Sequence, residues 1–354
     1  MANVKSGGKV RVGIAGLDHW YIGLEAAKSA AAHPDVELAV VAHRDRARAE
    51  ETAQACGAVE ATTDYASVAQ RDDLDIVVTA CRSSENPDIC IEAARRGSNI
   101  LSVKPVAMSR EESDRVNDAV KQAGIRFFSW ESNYRLNGRY KQVKRWIEEG
   151  RIGRPISAAY VMRAGLPTQV WPNVEGETWW LDPAHTPGGG WIDHSIYAVD
   201  LLRWLFGAEV DTAGGVVSTL VHHDLSPEME DFGLATLTFS GGQVASIEVT
   251  WTAAPGAFIT SMHIVGSEGS ILIDSSAPSR ATISGNFDPF RGWSTVTLSQ
   301  EGDNPLNSMV SALREGTSLP ANVGDACRNL DTCLTFYQAA REGRSKQVGL
   351  QAIS

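Results

Sequence analysis

Across residues 10–130, short apolar runs alternate with amphipathic stretches, and this alternation constrains the fold more than any other feature of the chain. The runs at 10–15, 36–42, 74–79, 99–103 and 126–130 are of strand length and rich in apolar residues, as strands covered on both faces must be. Between them lie helical patterns with legible ends. Residues 86–96 stop at Gly97, and residues 109–122 stop at Gly124, with Ser109 and Glu112 at capping-box spacing. Strand, helix and strand in repetition specify parallel βαβ units, hence an open, doubly wound sheet of five strands.

A chain of 354 residues is too long for one core, and the pattern changes after residue 130. A Lys/Arg-rich helix at 139–149, ended by Gly150, leads into antiparallel patterning. Ala235, Leu237 and Phe239 alternate with polar or small neighbours, Ser240-Gly241-Gly242 turns the chain, and Ala245, Ile247, Val249 and Trp251 alternate again. Gly266-Ser267-Glu268-Gly269 joins strands at 262–265 and 270–273, and helices at 306–314 and 323–341 follow. The expectation is an α/β protein with a doubly wound domain at 1–130. An α+β domain at 131–354, built on a large, mostly antiparallel open sheet, would bind substrate and support oligomers.

Charge and composition exclude several functions. A formal net charge of −11 offers no basic face for nucleic acid or an anionic membrane. No apolar run is long enough to span a bilayer, and the first nine residues lack the apolar stretch of a secretory signal, so a cytoplasmic protein is expected. The five cysteines are odd in number and scattered, as free thiols of a reducing compartment would be. No metal is expected either: His222 and His223 are adjacent, and neighbours on a strand face opposite sides.

The first strand ends in a turn, Ala15-Gly16-Leu17-Asp18-His19-Trp20, placed where a Rossmann domain binds a dinucleotide. Gly16 takes the first glycine position of the fingerprint. Asp18 and Tyr21 stand where the second and third glycines belong, and Asp18 brings a negative charge toward the phosphates, which His19 and the helix N-terminus would offset. At the tip of the second strand, His43 and Arg44 replace the acid that holds the ribose of NAD. That composition favours NADP over NAD.

Four segments in this order resemble the Gfo/Idh/MocA oxidoreductases, a family that includes glucose-fructose oxidoreductase and inositol dehydrogenases. They are the turn above, Leu101-Ser102-Val103-Lys104-Pro105, the stretch from Gly188-Gly189-Gly190 through Asp193, His194 and Tyr197 to Asp200, and the hairpin region ending at Gly269. Together they span nearly the whole chain. The resemblance implies a catalytic Lys104 beside the nicotinamide, although Val103 replaces the usual glutamate. It places Asp193 at the aspartate of an Asp-x-x-x-His motif and Tyr197 at the histidine, which is normally the proton-transfer base. Either Tyr197, with Lys104 lowering its pKa, or the adjacent His194 would have to serve, unless the activity has changed. The loop Cys81-Arg82-Ser83-Ser84-Glu85-Asn86 matches a family segment near the cofactor ribose, so Cys81 and Asn86 join Gly16, Asp18, His19, Trp20, His43, Arg44 and Lys104 as cofactor candidates.

Trp171, Trp179, Trp180 and Trp191 cluster around the glycine turn, and indole faces suit the C–H faces of a polyhydroxylated ring. Trp179, Trp180, Asp193 and Arg163 are therefore the substrate candidates. The expected function is hydride transfer between NADP (or NAD) and a sugar, cyclitol or related hydroxy or keto compound, in a homo-dimer or homo-tetramer. The alternatives are a lyase or glycosidase that retains its cofactor with no net redox, and a non-catalytic nucleotide-binding regulator.

Overall fold

The structure, a computed structural model, describes residues 8–349. In chain order it begins β1 (Val10–Ala15), α1 (Trp20–Ala32), β2 (Val36–Ala42), α2 (Arg46–Cys56), β3 (Glu60–Thr62), α3 (Tyr65–Ala69) and β4 (Ile76–Thr79). There follow α4 (Asn86–Arg95), β5 (Asn99–Ser102), α5 (Arg110–Ala123), β6 (Phe127–Ser129), α6 (Gly138–Glu148) and β7 (Pro155–Arg163). A small hairpin, β8 (Gln169–Trp171) and β9 (Val174–Glu175), precedes α7 (Gly190–Phe206). The rest comprises β10 (Val210–Ser218), β11 (Phe232–Phe239), β12 (Val244–Thr250), β13 (Ile259–Gly266), β14 (Ser270–Asp274), β15 (Arg280–Ser284), β16 (Ser294–Thr297), α8 (Pro305–Glu315), α9 (Val323–Glu342) and β17 (Lys346–Gln347).

These elements cluster into two compact units. Among the described residues, one takes 8–133 together with Thr168–Pro187 and Asn304–Leu330; the other takes Tyr134–Pro167, Gly188–Asp303 and 331–349. A single boundary near 130 does not describe this, because two later segments return to the first unit.

The first unit holds a parallel sheet in the order β3-β2-β1-β4-β5-β6, the doubly wound order of dinucleotide-binding folds. Every residue of β4 and β5 is buried, which is why their sequences are apolar without alternation. The sheet has six strands rather than five. β3 escapes a reading by hydrophobicity because Glu60-Ala61-Thr62 is a half-exposed edge with no apolar run. α5 is capped as its spacing predicts: the Ser109 hydroxyl accepts from Glu112 N–H at 3.2 Å, and Glu112 reaches back to Met108 N–H at 2.9 Å. Gly124, at φ 62°, ends that helix in the left-handed region.

The second unit is built on a nine-stranded sheet, β16-β15-β14-β13-β7-β12-β11-β10-β17. Its pairs are antiparallel except β12 with β7. The alternation read from the sequence is the burial pattern: Ala235, Leu237 and Phe239 of β11, and Ala245, Ile247 and Val249 of β12, are buried on the face that α7 packs against. Among the described residues no helix is long and apolar enough to cross a membrane.

Candidate active-site residues

Gly16 closes β1 with φ 94°, and a Cβ there would meet Cys81 Cα at 2.9 Å, so both conformation and space demand glycine. α1 then starts at Trp20. Its N-cap, His19, makes no side-chain cap bond, and the first turn holds no acidic residue, an arrangement open to an anion.

Asp18, the residue most at odds with phosphate binding, is not aimed outward. Its side chain is 4% exposed and turns to the tip of β2, where Oδ1 accepts from Arg44 Nε at 2.8 Å and Oδ2 from the Tyr65 hydroxyl at 2.9 Å. Burial, and next the Asp18 charge, hold the Tyr65 phenol protonated far above its usual range, so it stays a donor. Arg82 Nε lies 3.8 Å from the same carboxylate. The charge is thus offset by Arg44 and Arg82, while the Tyr65 hydroxyl donates a hydrogen bond to the same carboxylate. With the aspartate neutralised in this way, the turn fits a dinucleotide.

Arg44 also donates to Glu85 at 2.9 Å, so its guanidinium is shared between two carboxylates. His43 is 4% exposed, and burial lowers the pKa of its imidazole, leaving it uncharged at neutral pH. Beside Arg44 a groove of about 380 Å³ is lined by Thr63, Asp64, Tyr65, Ser84, Glu85 and Asp88. The strand tip lacks an acid, as the sequence shows, yet its arginine is paired with two carboxylates and its histidine is buried.

Several other candidates work inside the first unit. His19 is fully buried; its Nδ1 bonds Cys81 O at 3.0 Å, and its ring packs against Trp179 and Trp180 at centroid distances of 4.8 and 4.6 Å. Trp20 donates to Gln169 O at 3.2 Å. Cys81 acts through its backbone, its thiol being buried. Asn86 is wholly interior: Oδ1 accepts from Thr79 at 2.6 Å, while Nδ2 donates to Ser102 at 3.0 Å and to Val106 O at 2.9 Å. Its amide is spent tying the ends of β4 and β5, which corrects the expectation of a ribose contact.

Lys104 is fully buried after β5, with its ammonium 4.2 Å from the centre of the Trp180 ring, a cation–π geometry. Trp179 and Trp180 stack at 4.1 Å in a 3-10 turn, and Trp179 Nε1 donates to Asp18 O at 3.2 Å. Both tryptophans therefore belong to the nucleotide unit, not to the second domain in which the sequence reading put them. His185, from the same segment, is held by Arg82 at 2.7 Å and Ser84 at 2.9 Å.

In the second unit the glycine-rich turn is shaped by Glu230. Gly189 N–H donates to Glu230 Oε2 at 3.1 Å, Trp191 N–H to Oε1 at 2.9 Å, and Gly190 N–H to Glu230 O at 2.7 Å. A Cβ on Gly189 would sit 2.2 Å from Glu230 O, and one on Gly188 would sit 2.4 Å from the Tyr337 hydroxyl. The glycines are there so that a remote carboxylate can cap α7.

One turn into α7, Asp193 Oδ2 accepts from Trp251 Nε1 at 3.1 Å and lies 3.2 Å from His194 Nε2. His194 is partly exposed; Tyr197 is buried, its ring 5.5 Å from Tyr134 and 6.4 Å from His194. Arg163 does not join them. It lies at the end of β7 on the strand parity opposite to buried Ala158, Tyr160 and Met162, and pairs with Glu248 at 2.8 Å on the open face of the sheet. Trp191 is core, its ring tilted against that of Phe336 at a centroid distance of 3.9 Å. Tyr65, Arg82, Glu230, Tyr337 and Trp251 had no assigned role from sequence; the first two follow β3 and β4 as Gly16 follows β1, Tyr65 opening α3 and Arg82 lying in the loop before α4.

A parallel sheet of this order with a glycine turn after β1, and a second unit with a large open sheet, define a two-part dinucleotide-binding oxidoreductase. Residues 10–130 match the family model described as "Oxidoreductase family, NAD-binding Rossmann fold", and residues 140–272 match that of the GFO/IDH/MocA C-terminal domain. The chain belongs to the Gfo/Idh/MocA oxidoreductase family. It is similar to scyllo-inositol 2-dehydrogenase (NAD(+)) of Bacillus subtilis, at 27% identity over 90% of each chain. It is also similar to levoglucosan dehydrogenase of Pseudarthrobacter phenanthrenivorans, at 28% identity over 66% of this chain and 64% of that one. A solved levoglucosan dehydrogenase complex with NADH has the same fold, with a TM-score of 0.84 at 24% identity, covering 96% of this chain and 99% of the other.

Proposed function

We propose that this protein is an NAD-dependent dehydrogenase that interconverts a secondary hydroxyl and the matching ketone on a polyhydroxylated ring, a sugar or a cyclitol. The substrate class follows the named activities of its relatives, scyllo-inositol and levoglucosan dehydrogenases. The observation that carries the catalytic reading is the pair at the head of α7: a partly exposed imidazole with a buried carboxylate 3.2 Å from its Nε2. A carboxylate so placed orients the ring and stabilises its protonated form, which is what a proton-transfer base requires.

In this reading Gly16 and the first turn of α1 hold the pyrophosphate, and the bound nicotinamide supplies the hydride acceptor or donor. Lys104 polarises the reacting oxygen, with Trp180 fixing its ammonium. Asp193 orients His194, and His194 moves the hydroxyl proton. Of the two candidates for that step, His194 is favoured over Tyr197, because the phenol is buried and the imidazole carries the carboxylate. Trp179 offers an indole wall to the substrate, and Asn86 and Arg163 take no part.

The composition of the β2 tip pointed to NADP; the pairing of Arg44 and the neutrality of His43 favour NAD instead, and so do the acids Asp64, Glu85 and Asp88 in the adjoining groove. A homo-dimer or homo-tetramer is part of the proposal, supported by exposed Ile156, Val216, Leu234, Val244 and Ile259 on the second unit's sheet.

The test is a panel of cyclitols, anhydrosugars and keto-sugars read by nicotinamide absorbance, with His194→Asn and Tyr197→Phe compared. The asparagine is expected to lower kcat by about a hundredfold or more, and the phenylalanine by less than about tenfold. If kcat survives the change at His194, the proton-transfer assignment is lost; product formed with no change in nicotinamide absorbance would turn the reading to the cofactor-retaining lyase.

A further inference from the structure

We infer that Asp18 sets the choice of dinucleotide by holding Arg44 away from a 2′-phosphate. The inference rests on the dinucleotide-binding reading above and names a residue that decides selectivity within it.

Arg44 stands immediately after the tip of β2, the place where a cation accommodates the extra phosphate of NADP. To do so its guanidinium must have donors and charge to spend. Here Nε and one terminal nitrogen are engaged by carboxylates: Nε donates to Asp18 Oδ1 at 2.8 Å, and the terminal nitrogen reaches Asp18 Oδ2 at 3.3 Å and Glu85 at 2.9 Å. The pair with Asp18 is a fork on a carboxylate, the geometry in which an arginine is held most firmly. Glu85 is 38% exposed, so its contact with Arg44 is the screened and weaker one. Asp18 is 4% exposed and is fastened on its other side by the Tyr65 hydroxyl, so it is the fixed member of the cluster and Arg44 the held one.

This also gives the departure from the glycine fingerprint a reason. A glycine at position 18 would leave Arg44 with Glu85 alone. An aspartate there converts the first β-turn into a clamp on the second strand's cation, across 26 residues of sequence. A 2′-phosphate would have to displace Asp18 and would then add its own negative charge next to a buried carboxylate. NAD brings two neutral hydroxyls to the same place and disturbs nothing. Asp18 is therefore a positioning residue for specificity, acting through Arg44.

Equilibrium binding of NAD and NADP, measured by calorimetry on the full chain, tests this without reference to turnover. The unmodified protein is expected to bind NAD more tightly. Asp18→Asn, which keeps the shape and the Tyr65 hydrogen bond but removes the charge, is expected to shift the ratio of the two Kd values toward NADP by at least about tenfold. Asp18→Gly, which restores the fingerprint glycine, should do the same and serves if the asparagine variant misfolds. Adding Arg44→Ala to either variant should return the ratio to its starting side, an outcome that general loosening of the turn does not produce; adding Arg82→Ala should not. An NADP preference in the unmodified protein, or an unchanged ratio in both Asp18 variants while NAD still binds, overturns the inference. If the unmodified protein binds neither dinucleotide, the functional reading fails and takes the inference with it.

Discussion

The Tyr337 hydroxyl donates to Glu230 Oε1 at 2.7 Å while accepting from Ile192 N–H at 3.2 Å, so one phenol links a buried carboxylate to the first turn of α7. Glu230 receives two further N–H groups of that turn, and Asp193 and His194 follow directly on the same helix. The glycine-rich turn that carries part of the family resemblance is, in its physical detail, a socket for a remote helix cap.

Glu230→Ala should accordingly destabilise the protein by about 2–4 kcal/mol, because the Gly189 and Trp191 N–H groups and the Tyr337 hydroxyl all lose a buried acceptor together. Denaturant midpoints at constant slope measure it. A change below about 0.5 kcal/mol would mean the cap is dispensable.

The same residue gives stability a pH dependence of known sign. Burial pushes the Glu230 carboxyl up to about 7, from 4.5 in an unfolded chain, against the opposing hydrogen bonds from Tyr337, Trp191 and Gly189. Between those two values the folded protein keeps a proton that the unfolded chain has released, so stability falls as pH rises through the window. The penalty is complete above the higher value. The full cost is on the order of 3 kcal/mol. Glu230→Gln should flatten this part of the unfolding profile. An unaltered slope in that variant would assign the titration elsewhere.

Gly189→Ala is expected to cost about 3 kcal/mol, since its Cβ would collide with the Glu230 backbone at 2.2 and 2.6 Å, where no flexible side chain can yield. Gly97→Ala, with nothing within 4 Å of its Cβ, should show only the strain of a positive φ. Thermal midpoints of the pair separate crowding from backbone preference.

Asn86→Ala should weaken folding by about 2–3 kcal/mol, leaving Val106 O and two buried hydroxyls short of a partner, with the Kd for NAD changed by no more than about threefold. A loss of affinity beyond tenfold in a variant of unimpaired stability would restore the ribose contact that the family resemblance implies.

The parallel strands were legible because burial on both faces writes itself as runs rich in apolar residues; β1 and β2 have the ends that their sequences predict. β3 was not, being a polar edge of three residues. Single residues could be placed from their neighbours, as Gly16 is at the turn that closes β1. Pairings could not. Asp18 meets Arg44 across 26 positions, and Gly189 meets Glu230 across 41, distances at which no local pattern operates. Arg163 misled because its place on β7 depends on strand parity, which its own segment does not declare.

The segments that rejoin the first unit limit how this protein can be divided. A fragment cut near residue 130 would carry all six parallel strands, yet lack the tryptophans that pack on His19 and Lys104 and the helix α8 that lies against α1. Its freshly bared indole-binding surface would be apolar and sticky. The first unit is thus not a module that recombination or cloning can lift out as one continuous piece, and any exchange of the second unit among relatives has to leave residues 168–187 and 304–330 with the first.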